Sequence, residues 1–222
     1  MNTKIKSTIL AVAVTGLFAA QPALADSLTF NGFSNGSVSA SITSPISLST
    51  NAGGFSMTNT TPNPDVSFQA WCVDIFHTLV SPSSYTLQSA SSFYSADPGK
   101  ATALSHLASN YLSSVTNATT SGAFQLAVWE IVNEASGGSY SLGAGNFKAT
   151  SGTATAVSTA NTWLGNLSGP ITMTANVWAS DSHQDLAVFA PVPEPETYAM
   201  MLSGLGLMGF VARRRKKVPE LA

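Results

Sequence analysis

The chain has 222 residues, a formal net charge of −2, and 9% charged against 44% hydrophobic side chains. Five of its nine Lys and Arg residues lie in one run, Arg213-Arg214-Arg215-Lys216-Lys217, so no basic face is left to hold a nucleic acid. A single cysteine, Cys72, excludes an internal disulfide.

Lys4 and Lys6 precede an apolar run from Ile9 to Ala20, and Ala23-Leu24-Ala25 supplies small residues before Asp26. This is the pattern of a secretory signal peptide over residues 1–25, read by signal peptidase. The body, residues 26–190, is long enough for one domain with a core. From Ser27 to Ala190 it carries two cations, Lys100 and Lys148, against seven carboxylates. Ser, Thr, Asn and Gly take the place of charge, as suits an extracellular surface.

From Ser27 to Thr58 apolar residues alternate: Leu28 and Phe30; Val38, Ala40 and Ile42; Ile46 and Leu48; Phe55 and Met57. Period two predicts half-buried antiparallel strands, and Asn31-Gly32 and Asn35-Gly36 predict tight turns. Val66–Phe76 is the strongest strand, with Val66, Phe68, Ala70 and Cys72 on one face and Trp71, Val73 and Ile75 on the other. Both faces are apolar, so a central, covered strand is expected. A short strand over Tyr85–Leu87 follows.

The period then changes. Asp97-Pro98 reads as a helix N-cap and first-turn proline, followed by Leu104, Leu107, Ala108, Tyr111, Leu112 and Val115 at helical spacing. A second helix is expected from Ser121 to Ala135, with Phe124, Ala127, Val128, Ile131, Val132 and Ala135 on its inner face and Gly137-Gly138 beyond its end. A weaker helix follows over Thr153–Leu167. Strands over Ile171–Val177 and Leu186–Phe189 close the body. The fold class expected is α+β: an antiparallel β-sandwich or barrel with a helical insert, plus a C-terminal transmembrane helix.

The tail is a second address. Val192-Pro193-Glu194-Pro195 (a linker over 191–196) precedes a charge-free stretch from Thr197 to Ala212, and the basic tail, residues 213–222, ends the chain. As a helix, residues 197–212 would reach about 24 Å, slightly short of a hydrocarbon core of about 30 Å. Bilayer thinning and snorkelling cover the difference, and Arg213, Arg214 and Arg215 act as the membrane stop on the cytoplasmic side. The three parts together resemble the PEP-CTERM sorting signal of Gram-negative bacteria, over residues 192–217. That resemblance implies cleavage near Pro193, Glu194 and Pro195 by an exosortase, a membrane peptidase. It also implies inner-membrane anchoring before release to the envelope, surface or matrix, and an exopolysaccharide or biofilm setting.

Two segments of the body carry chemistry: Trp71-Cys72-Val73-Asp74 on a strand and Phe124-Gln125-Leu126-Ala127-Val128-Trp129 on a helix. Over residues 66–135 they resemble the paired motifs of thioester domains in bacterial surface adhesins. The resemblance implies an internal thioester between the Cys72 sulfur and the Gln125 carbonyl, formed with loss of ammonia, with Trp71 and Trp129 as shields. Such a bond would acylate an entering amine once, without turnover.

Three roles stand side by side: a structural or adhesive envelope protein, a covalent binder of surface amines or polysaccharide, and an envelope cysteine hydrolase using Cys72. A non-enzyme without cofactor or metal is expected. His77, His106 and His183 are scattered; Asp74, His77 and another His, and Asp181, His183 and Asp185, are weak cation candidates, the latter trio fitting a solvated loop or strand edge better.

Overall fold

The computed structural model describes residues 25–193 and 195–215. All but the last residue of the expected signal peptide lies outside these, as do Glu194, Lys216 and Lys217. In chain order the strands are β1 (Asp26–Phe33), β2 (Val38–Ser44), β3 (Leu48–Ala52), β4 (Phe55–Asn59), β5 (Val66–Cys72) and β6 (Ser83–Ser89). Helices α1 (Ala90–Phe93), α2 (Gly99–Tyr111) and α3 (Ala118–Asn133) follow, then β7 (Lys148–Ser151), α4 (Ala154–Leu164), β8 (Met173–Ala179), β9 (Leu186–Pro191) and α5 (Pro195–Arg215).

Six strands close into an antiparallel barrel in the order β1-β4-β5-β9-β8-β6, and β3-β2-β7 form a separate sheet. The α+β barrel with a helical insert is therefore the architecture, since α1–α4 and β7 all enter between β6 and β8. The register that pairs Met57 with Phe68 and Phe55 with Ala70 fixes β5 against β4. On its other side β5 meets β9 only at Trp71↔Ala187 and Cys72↔Leu186. The strand thus ends at Cys72, and Val73–Phe76, expected to continue it, are loop instead. A bond from Val73 N–H to the Asp185 carbonyl (3.0 Å) turns the chain there.

Helix α3 is the centre of the insert. Every residue from Ser121 through Val132 is buried, so the helix is enclosed on all sides and the single inner face expected for it is too narrow. Trp71 packs on Phe124 with ring centroids 4.4 Å apart, joining the helix to the barrel wall. On another side Gly122 lets α3 approach β2 so closely that an added Cβ would collide with Val38. The N-terminus of α3 is capped by Asn117, whose side chain accepts from Thr120 N–H (3.0 Å) in a capping box.

The start of α2 differs from its reading. Asp97 does not cap it; its carboxylate instead takes the backbone N–H and hydroxyl of Ser136, just beyond α3. β7 had no expected counterpart, because Lys148–Ser151 is too short and polar to alternate visibly, whereas its sheet partners β2 and β3 were expected as strands.

The tail forms one continuous helix, α5. Among the described residues no helix is long and apolar enough to cross a membrane: Ser203, Gly204, Gly206 and Gly209 dilute the apolar stretch expected to span it. Pro195 opens this helix, and Arg213, Arg214 and Arg215 form its last turn.

Candidate functional site

Cys72 and Gln125 are brought together. Gln125 sits near the middle of α3, and each of the two residues is 1% exposed. The Gln125 amide straddles the backbone of Cys72: Cys72 N–H donates to Gln125 Oε1 (3.0 Å), and Gln125 Nε2 donates to the Cys72 carbonyl (2.8 Å). This reciprocal pair fixes which end of the amide is oxygen, since an N–H can face only the acceptor and a carbonyl only the donor. Only a strand end supplies such a contact, because the last residue of β5 has backbone groups that no neighbouring strand claims on the α3 side.

The thiol itself donates to the Asp74 carbonyl (3.1 Å). Burial pushes it up to about 12, opposed by the Trp129 indole and the Asp74 carbonyl. At neutral pH it is therefore a protonated, protected thiol rather than a ready thiolate. The buried Trp129 indole N–H lies near enough to the sulfur to oppose that rise without completing a full hydrogen bond to it.

Cys72 and Trp129 lie at one side of a cavity of about 330 Å³. Phe30, Phe33 and Phe55 form its aromatic wall, and Thr50, Asn51, His77 and Gln184 bring polar groups to it. The three phenyl rings contact one another edge-on or tilted, with centroids 5.2–6.0 Å apart, so the wall is rigid.

Of the two tryptophans expected to shield the bond, Trp129 lines this cavity and Trp71 does not. Trp71 is fully buried against Phe124 on the other face of β5, where it buttresses α3 and lines a different, apolar cavity. Its place follows from strand alternation: residues 71 and 72 must point opposite ways.

Asp74 and His77, grouped in the sequence only as cation candidates, bind each other directly. His77 Nδ1 lies 2.5 Å from Asp74 Oδ2, and Asp74 Oδ1 accepts Phe76 N–H (2.8 Å). Had Val73–Phe76 been a strand, residues three apart would face opposite ways; the turn after Cys72 joins them. Gln184, which sequence reasoning missed, donates to the Asp74 carbonyl (3.1 Å) and the His77 carbonyl (3.4 Å), pinning this turn from the β8–β9 loop.

His106 lines a separate cavity beside Ser136. Asp185 accepts from Ser180 N–H (2.8 Å) and its carboxyl is held above the usual range, chiefly by burial. Among the described residues no cluster of His, Cys, Asp and Glu is arranged to hold a metal ion.

A second buried carboxylate lies farther along α3. Glu130 is fully buried and accepts from Ser141 N–H (2.6 Å), while its other oxygen has no partner. Burial pushes it up to about 7, with the Glu134 charge adding to the rise and the Ser141 N–H opposing it. Glu134 Oε1 accepts from Phe147 N–H (2.7 Å), so the two glutamates strap the 135–147 loop to the helix.

Residues 191–216 match the PEP-CTERM protein-sorting motif. That motif implies an exported, exosortase-sorted protein of a Gram-negative envelope or surface. No curated protein sequence matches the chain. Among solved structures there is a weak similarity to the N-terminal thioester domain of a surface protein from Clostridium perfringens, in a cysteine-to-alanine mutant. The TM-score is 0.42 at 14% identity, covering 62% of this chain and 89% of that one.

Proposed function

We propose that this is an exosortase-sorted surface or matrix protein of adhesive role that anchors itself covalently through an internal Cys72–Gln125 thioester. The single observation that carries the reading is the reciprocal hydrogen bonding of the buried Gln125 amide to the Cys72 backbone. A primary amide is a poor electrophile, so the reaction needs the thiol held at near-attack distance and donors waiting for the developing charge. Cys72 N–H is such a donor, and the two hydrogen bonds seat the amide on the residue that carries the thiol. When Sγ attacks the Gln125 carbonyl carbon, negative charge gathers on Oε1, which already faces Cys72 N–H. The unpaired Trp129 N–H is a second donor nearby. The thiol proton and the amide nitrogen leave together as ammonia.

Burial then preserves the product. A thiolate as basic as this one is a slow leaving group, and the aromatic wall keeps water from the acyl carbon. An amine that enters the cavity becomes joined to Gln125, and Cys72 is restored. One amide is consumed per chain, so the protein acts as a single-use reagent and not as an enzyme. The tail supports the rest of the reading: the sorting motif directs the chain out, with α5 as a membrane anchor until the exosortase cuts near Pro193, and matrix polysaccharide or biofilm as the setting.

A passive structural role is the second reading, favoured by the protonated, buried state of the thiol. Methylamine distinguishes the two. The purified full chain should gain one methylamine, mapped by peptide mass spectrometry to Gln125, while Cys72→Ala gains none. Equal labelling of both proteins, or of neither, removes the covalent reading and leaves the passive one. The hydrolase reading lacks a base on the thiol, since Cys72 S–H is committed to the Asp74 carbonyl.

A further inference from the structure

The cavity that holds Cys72 and Trp129 also holds His77. The ring is oriented rather than loose: Nδ1 is bound to Asp74 Oδ2 at 2.5 Å, which leaves Nε2 as the free ring nitrogen. In a neutral ring with its proton on Nδ1, Nε2 is an acceptor. The turn that presents it is tied to the sulfur, because the Asp74 carbonyl accepts both Cys72 S–H and Gln184 Nε2. His77 is 56% exposed, so it sits where an entering group passes. The charges around it are Asp74 on its own turn and Asp185, with Asp181, from the β8–β9 loop. All are negative and suited to a cationic amine.

We propose that His77, held by Asp74, is the proton carrier for the amine that opens the Cys72–Gln125 bond. This rests on the thioester reading above. The free amine nitrogen attacks the Gln125 carbonyl carbon and His77 Nε2 takes one proton from it. The C–S bond then breaks, its electron pair returns to Sγ, and the imidazolium gives that proton to sulfur. The sum is one new amide, one restored thiol and a neutral His77; nothing is oxidised or reduced. The return of the proton matters here, because a buried sulfur cannot leave readily as an anion.

The test compares the full chain with H77Q, H77A and D74N. Intact mass is read first: wild type and all three variants should lack one ammonia. Methylamine capture is then timed from pH 5 to 9. The rate of wild type should rise with pH along a profile that H77Q does not share. H77Q should be slower near neutrality by about 10²-fold or more, its rate following only the fraction of free amine. D74N should fall between them, and added imidazole should restore H77A in proportion to its concentration. Equal rates and equal pH profiles in wild type and H77Q, both carrying the deficit, overturn the proposal. A deficit missing only in the His77 variants also overturns it, since the residue would then close the bond rather than open it. A wild type at full mass defeats the thioester reading itself, and this proposal with it.

Discussion

Replacing Gln125 by Ala in a Cys72→Ala background isolates the hydrogen-bonded frame from any covalent bond. Cys72→Ala removes only the sulfur; its backbone N–H and carbonyl remain, and both are bound by the Gln125 side chain at 3.0 and 2.8 Å. Truncating that side chain strands two buried backbone groups, each costing about 1–3 kcal/mol. The lost methylene adds about 0.8 kcal/mol. Water entering the vacated space offsets part of this, so about 3–5 kcal/mol is expected, a large share of the roughly 5–15 kcal/mol that holds a domain together. Urea unfolding followed by tryptophan fluorescence, with Cys72→Ala alone as reference, reads the difference directly. Gln125→Glu in the same background adds a pH signature. Protonated, it can still donate to the Cys72 carbonyl; ionised, it sets two acceptors face to face, so its folded-state pKa must lie above the unfolded value. Stability should then be retained below about pH 4.3 and lost as pH rises beyond it. A cost under about 1 kcal/mol for Gln125→Ala would refute the claim that this amide is the keystone between α3 and β5.

The remaining predictions concern the scaffold. Glu130 has a raised pKa of about 7, so the native state holds its proton where the unfolded chain has lost it. Tm should therefore fall as pH rises from about 4.3 towards 7, and Glu130→Gln should flatten that limb. Asp97 is held below the usual carboxylate range, first by the Ser136 hydroxyl and then by its N–H. Its contribution is full above the unfolded value and lost as pH falls through the folded one; an NMR titration should find it depressed in wild type and less so in Ser136→Ala. Gly122→Ala drives a methyl into Val38 and should cost about 1–3 kcal/mol in urea unfolding, with Val38→Ala recovering part of it. Asn117→Ala removes the cap of α3 and should cost about 1 kcal/mol by the same measurement.

The strands β1, β4 and β8 were legible because they alternate polar and apolar residues, β5 and β9 because they are short apolar runs, and the helices α2, α3 and α4 because their stripes recur at helical spacing. Cys72 and Gln125 were legible only as motifs; that they would meet depends on β5 stopping at Cys72, and no residue there announces the stop. Val73 and Ile75 continue the alternation, so the sequence reads as strand where tertiary bonds from Asp185 and Gln184 impose a turn. The direct Asp74–His77 contact was hidden by that same error. Glu130 was hidden for a different reason: a glutamate on an amphipathic helix is ordinarily solvent-facing, and only the closing of the 135–147 loop over α3 buries it. For Trp71 the alternation with Cys72 already excluded a place over the sulfur, and its partner Phe124 could have been chosen from the helix stripe.

The internal bond between strand and helix is the central claim, and intact mass tests it most directly. The full chain, purified without amines and measured under denaturing conditions, should be lighter than its sequence by one ammonia and should resist alkylation at Cys72, while Cys72→Ala and Gln125→Ala should each have full mass. A wild-type chain at full mass, with Cys72 alkylated once unfolded, would contradict it.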